Sequence, residues 1–105
     1  MTATALRPGT RLRSQACSTE VVVVRAGTGA VDLTCAGHPM VGFDEPAAAL
    51  PLVVGLDGGT AVGKRYTAAS DRTVEVLVTK GGAGTLGDGA TPLELKQAKP
   101  LPASD

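Results

Sequence analysis

Two short runs of β-branched residues dominate this chain: residues 20–25 (EVVVVR) and residues 74–80 (VEVLVTK). Such residues fit a pleated, partly covered surface far better than a helix. A glycine-containing turn follows each run, residues 27–29 (GTG) after the first and residues 81–84 (GGAG) after the second. Extended patterning then resumes at residues 30–35 and 85–86. Two β runs split by a short glycine gap read as a hairpin. The expectation is therefore an all-β chain with a Val-rich hairpin in each half. Four consecutive valines further predict a strand covered on both faces.

The two halves resemble copies. Residues 20–29 align with 75–84, Gly37-His-Pro-Met40 aligns with Ala90-Thr-Pro-Leu93, and Gly9-Thr-Arg-Leu12 resembles Gly63-Lys-Arg-Tyr66. A single hairpin cannot bury its apolar face, whereas two packed together can. This predicts two hairpin units in a pseudo-twofold arrangement: a first unit over residues 1–45, a linker over 46–62, and a second unit over 63–105. The linker is broken by Pro46 and Pro51. It holds one possible helical turn at 47–50 and a turn signal at Asp57-Gly58. Residues 99–105 contain two prolines and read as an extended tail. A small β barrel is the competing architecture.

A chain of 105 residues supports one small domain with a thin core. Tyr66 and Phe43 are its only aromatics, so the usual anchors of base-stacking platforms are missing. Charge is balanced in each half, with four basic and four acidic residues in 1–52 and six of each in 53–105. No basic stripe offers a phosphate-tracking surface, which argues against nucleic acid. The first fifteen residues lack the apolar core of an export signal. The apolar run 47–56 is interrupted by Pro51 and is about half of what a membrane span needs. These features predict a soluble cytoplasmic protein that binds neither nucleic acid nor membrane.

Cys17 and Cys35 are the only cysteines. They flank the first expected hairpin, whose ends should bring the sulfurs together. That layout suits a metal–thiolate site or a disulfide. In a cytoplasmic protein, paired cysteines more often bind metal or perform redox work.

The residues around them resemble the desulforedoxin family, a fold that is also the N-terminal domain of desulfoferrodoxins. The pattern of that family is C-x-x-C, a Val-rich hairpin with a glycine turn, then adjacent cysteines and Gly-x-x-Met. Cys17 falls on the second cysteine of C-x-x-C and Ser14 on the first. Cys35 falls on the first of the adjacent pair and Ala36 on the second, while Gly37-His-Pro-Met40 matches the close. The resemblance implies a rubredoxin-type scaffold, commonly dimeric, with one iron in a four-thiolate cage. Here two of the four thiolates are replaced, and the second half carries no cysteine. A sulfur-built tetrahedral site does not survive such losses within one chain. Three fates are open to Cys17 and Cys35: relics packed as small apolar residues, a disulfide between sulfurs already within about 4 Å, or iron or zinc bound with help from His38, a carboxylate or a second subunit.

Other candidates carry less. His38 is the single histidine and falls in the closing turn, which reads as surface. Asp44 and Glu45 are neighbours in a loop and read as solvated. Residues 58–64 fit G-x-x-x-x-G-K, but Arg65 stands where a phosphate-binding loop needs Ser or Thr. No catalytic grouping emerges. The chain is expected to be a non-enzymatic accessory protein without a cofactor, binding a larger protein partner or a second copy of itself. The alternatives are a small iron or zinc protein for electron transfer or metal delivery, or a Cys17–Cys35 thiol/disulfide switch.

Overall fold

The computed structural model describes residues 6–27 and 31–96. All regular structure among them is antiparallel β, in ten strands. The first half supplies β1 (Arg11–Arg13), β2 (Glu20–Ala26), β3 (Leu33–Cys35), β4 (His38–Pro39) and β5 (Val41–Gly42). The second supplies β6 (Arg65–Thr67), β7 (Val74–Lys80), β8 (Leu86–Asp88), β9 (Thr91–Pro92) and β10 (Glu94–Leu95). No helix among the described residues is long and apolar enough to cross a membrane. The expected tail, 99–105, lies outside the described residues.

The Val-rich runs are strands, as their composition predicts, but they do not form the predicted hairpins. β2 pairs with β1 and β7, while β3 pairs with β4 and β8 in a different sheet. The second half does the same: β7 pairs with β6 and β2, and β8 with β9 and β3. The glycine turn at 81–84 is therefore a corner between sheets. The reason lies in burial. β2 and β7 are seven residues long and meet along most of that length, with Val21 opposite Val78 and Val23 opposite Val76. That central contact puts four valines that are almost wholly inaccessible into one core with Leu12, Leu33, Met40, Val74 and Leu86. A hairpin within either half would leave these side chains half-covered.

The same geometry corrects the reading of the valine run. Val21 and Val23 are buried, but Val22 and Val24 are only half-buried, so β2 is covered well on one face alone. The strand order of the larger sheet is β10-β6-β7-β2-β1-β5, and that of the smaller is β4-β3-β8-β9. Exchanging β1–β5 for β6–β10 reverses each order without altering it.

One buried charge sits in the larger sheet. Glu75 on β7 is almost inaccessible and forms ion pairs with Arg65 on β6 and Lys96. Its carboxyl is held below the ordinary value, first by the Lys96 hydrogen bond, against the opposing effect of burial, with Arg65 adding to the lowering. The segment from 46 to 64 holds no strand and no helical turn at 47–50. Residues 58–64 lead into strand β6 of an antiparallel sheet, not into a helix, so they lack the frame of a phosphate-binding loop.

Candidate thiol site

Cys17 lies in the irregular segment between β1 and β2, and Cys35 ends β3. Although the strands between them occupy different sheets, their sulfurs stand 3.7 Å apart. β2 leads away from Cys17 in the larger sheet, and β3 leads back to Cys35 in the smaller one. The two ends of this excursion face each other across the layers.

The sulfurs occupy unequal places. Cys35 is wholly inaccessible, whereas Cys17 is half-buried at the rim. Cys17 Sγ is 3.4 Å from Ser14 Oγ and 3.2 Å from Thr19 Oγ1, and the Gly84 amide donates to it at 3.3 Å. Ser14 and Thr19 are themselves buried. A protonated thiol has one hydrogen to give to one hydroxyl, while a thiolate accepts from both. Ser14 Oγ already accepts the amides of Ala16 and Cys17 at 3.0 and 3.1 Å. Its lone pairs are taken, so its O–H is left to point at the sulfur. Once Cys17 is ionised, the Ser14 and Thr19 hydroxyls can join the Gly84 amide as donors to its Sγ, an arrangement suited to a negative charge.

The titration of the pair follows. Burial pushes the Cys17 thiol up, but the Ser14 and Thr19 hydroxyls and the Thr19 and Gly84 amides together outweigh it and bring it down to about 7. Cys35 is pushed up to about 11, chiefly by burial, partly relieved by the Ser14 hydroxyl and reinforced by the charge on Cys17. One thiol is poised to ionise near neutrality while its neighbour keeps its proton.

The second half roofs the site. A Cβ on Gly82 would come within 2.9 Å of Cys17 Sγ, and one on Gly84 within 2.9 Å of Cys35 Sγ. Only residues without side chains let this turn pass so close. The turn after β3 is tight: Ala36 and Gly37 both have positive φ, 56° and 86°, which joins β3 to β4 with two residues.

Around the two sulfurs, the described residues do not supply four ligands for a tetrahedral iron or zinc site. Ser14 spends its oxygen on two amides, and Ala36 offers no ligand atom. His38 Nε2 is 2.7 Å from the Pro51 carbonyl. Among the described residues, no group of three or more His, Cys, Asp or Glu is placed to hold a metal ion. Asp44 and Glu45 are exposed and lie away from the sulfurs, lining a shallow surface hollow with Arg11 and Phe43.

Sequence reasoning singled out both cysteines and placed Ser14 beside them. It missed Thr19 and the turn at 82–84. The S-x-x-C spacing signals a hydroxyl beside Cys17; nothing local marks Gly84, which is 67 residues away. No protein family, no curated protein and no solved structure matches this chain.

Proposed function

We propose that the protein is a thiol switch: a non-enzymatic accessory protein whose Cys17–Cys35 pair interconverts between dithiol and disulfide, with Cys17 as the attacking sulfur. The observation that carries this reading is the donor cradle around one sulfur of a close pair. A relic cysteine packed as a small apolar residue has no use for three converging donors. A reactive cysteine needs a stabilised thiolate and access from solvent, and Cys17 combines both features.

The chemistry balances with a small disulfide as oxidant. The Cys17 thiolate attacks one sulfur of the oxidant, forming a mixed disulfide and releasing one thiolate. That thiolate takes the Cys35 proton. The Cys35 sulfur then attacks Cys17 Sγ from the buried side, closing the internal bond and expelling the second thiolate. The dithiol loses two electrons and two protons, and the expelled thiolate takes from solvent the proton that Cys17 gave up on ionising, so the oxidant leaves as two thiols. The partner protein expected from the sequence is then the reader of the switch.

The kinship with desulforedoxins and the duplication of a pseudo-twofold unit form part of this proposal. They are supported by the register of Cys17, Cys35 and the Gly-x-x-Met segment, and by strand orders that reverse when the halves are exchanged. On this view the switch reuses the place of a lost metal cage.

Equilibration in glutathione buffers, acid quenching and mass spectrometry test the switch. The expected result is reversible loss of two hydrogens per chain, with a midpoint of roughly −200 to −300 mV. Two free thiols across the whole range, or a bond that resists the strongest reductant, refute it.

A further inference from the structure

The same site carries a mechanical consequence, and it rests on the reading just proposed. Residues 50–56 form a strap without regular structure that spans the two segments bearing the cysteines. The Leu50 amide donates to the Gln15 carbonyl at 2.7 Å, two residues from Cys17. The Val53 amide donates to the Ala36 carbonyl at 3.1 Å, one residue from Cys35. His38 Nε2 meets the Pro51 carbonyl at 2.7 Å, and Val53 packs so closely on Gly37 that a Cβ there would lie 2.5 Å from its Cγ2. The far end is tied as well, since the Thr85 amide donates to Leu56 O at 2.9 Å, beside the turn that roofs both sulfurs. Strap and sulfur pair therefore bridge the same gap in parallel.

We infer that this strap is the element that reports the state of the dithiol: closing the Cys17–Cys35 bond releases its Leu50 anchor. A disulfide requires its sulfurs at about 2 Å, while these stand 3.7 Å apart. Side-chain rotation takes up part of this contraction of roughly 1.7 Å, and a backbone share above the spread of amide hydrogen-bond lengths, about 0.5 Å, is enough to break an anchor. The two sides do not share it equally. Cys35 is inaccessible and its strand is paired on both edges, by β4 and β8. The Cys17 segment lies outside any strand and is half-exposed, so it moves. It carries the Gln15 carbonyl with it, while the Ala36 carbonyl stays beside the fixed cysteine. Anchors three residues apart on one short strap do not follow both. Leu50 lets go and Val53 holds. The strap bears Leu52, Val53 and Val54, all exposed, with Val54 98% accessible, so its release re-aims an apolar surface. Oxidation follows the exchange balanced above, with a small disulfide as oxidant.

Amide exchange followed by NMR in the dithiol and disulfide forms tests this, with glutathione disulfide as the oxidant and mass spectrometry confirming the bond. The expected result is that Leu50 exchanges about tenfold faster or more after oxidation, as an opened local structure does, while Val53 changes less. Cys17→Ser treated with the same oxidant should show no change at either amide. Equal Leu50 exchange in the two forms, a larger effect at Val53, or the same change in Cys17→Ser overturns the strap and leaves the thiol couple standing. Failure of the bond to form overturns both.

Discussion

Replacing Ser14 with Ala removes one donor from Cys17, together with the acceptor of the Ala16 and Cys17 amides. The residue is 4% accessible, and its hydroxyl holds the amides of Ala16 and Cys17 as well as facing the sulfur. A hydrogen bond to a charged group contributes about 1.5–3 kcal/mol, and one pKa unit corresponds to about 1.4 kcal/mol. Its Oγ is 3.4 Å from the sulfur, a long contact for a hydroxyl, so the low end applies and the shift is about one unit. Cys17 then moves from about 7 toward about 8. At pH 7 the thiolate fraction falls from about one half to about one tenth, a fivefold loss. A more basic thiolate is a better nucleophile, by about threefold per unit with a Brønsted coefficient of 0.4–0.5. The net fall in alkylation rate at pH 7 is about twofold, and the plateau at high pH rises about threefold. The pH profile of iodoacetamide alkylation, read at Cys17 by mass spectrometry, separates the two effects. Ser14→Thr, which keeps the hydroxyl, should restore the inflection near its original place. An unmoved inflection in a folded Ser14→Ala protein refutes the claim that Ser14 donates to the sulfur.

Other expectations follow from the packing and the charges. Gly82→Ala puts a Cβ 2.6 Å from Thr19 Oγ1, 2.7 Å from its backbone nitrogen and 2.9 Å from Cys17 Sγ, so thermal unfolding should show a loss of about 1–3 kcal/mol; unchanged stability contradicts the close roof. Val23→Ala and Val76→Ala face each other across β2 and β7, and each should cost about 2–3 kcal/mol in one cooperative denaturant transition; two separate transitions contradict a shared core. The Glu75 carboxyl is held below its ordinary value of 4.5, so its contribution is present above that value and is lost as the pH falls through the lower folded one. Glu75→Gln should therefore lower stability by about 1–2 kcal/mol at neutral pH, since Arg65 and Lys96 are half-exposed and rehydrate. It should also flatten the acid limb of a pH–stability curve, and an unchanged limb contradicts the ion-pair account.

The β runs were legible because branched side chains state their preference locally. The meeting of Cys17 and Cys35 was legible too, but through a different route from the one the sequence suggests. A glycine gap after a valine run reads as a hairpin turn, yet the strands that flank each gap lie in different sheets. What decides between the two is the mutual burial of Val21, Val23, Val76 and Val78, a contact between segments more than fifty residues apart. Local pattern carries no trace of such a partner. Glu75 illustrates the same limit: it occupies a strand position like any charged residue, and its burial depends on Arg65 and on Lys96, 21 residues later. The lack of strands over 46–62 was legible in its prolines and glycines. The attachment of that stretch to both cysteine segments was not, because Leu50 and Val53 bind through backbone amides, which every residue possesses.

The unequal roles of the two sulfurs are tested most directly by trapping the mixed disulfide in single-cysteine variants. With glutathione disulfide near neutral pH, Cys35→Ser should accumulate glutathione on Cys17, and Cys17→Ser should leave Cys35 a free thiol. Equal labelling of both variants, or labelling of Cys35 alone, contradicts a solvent-facing thiolate at Cys17 resolved by a buried Cys35.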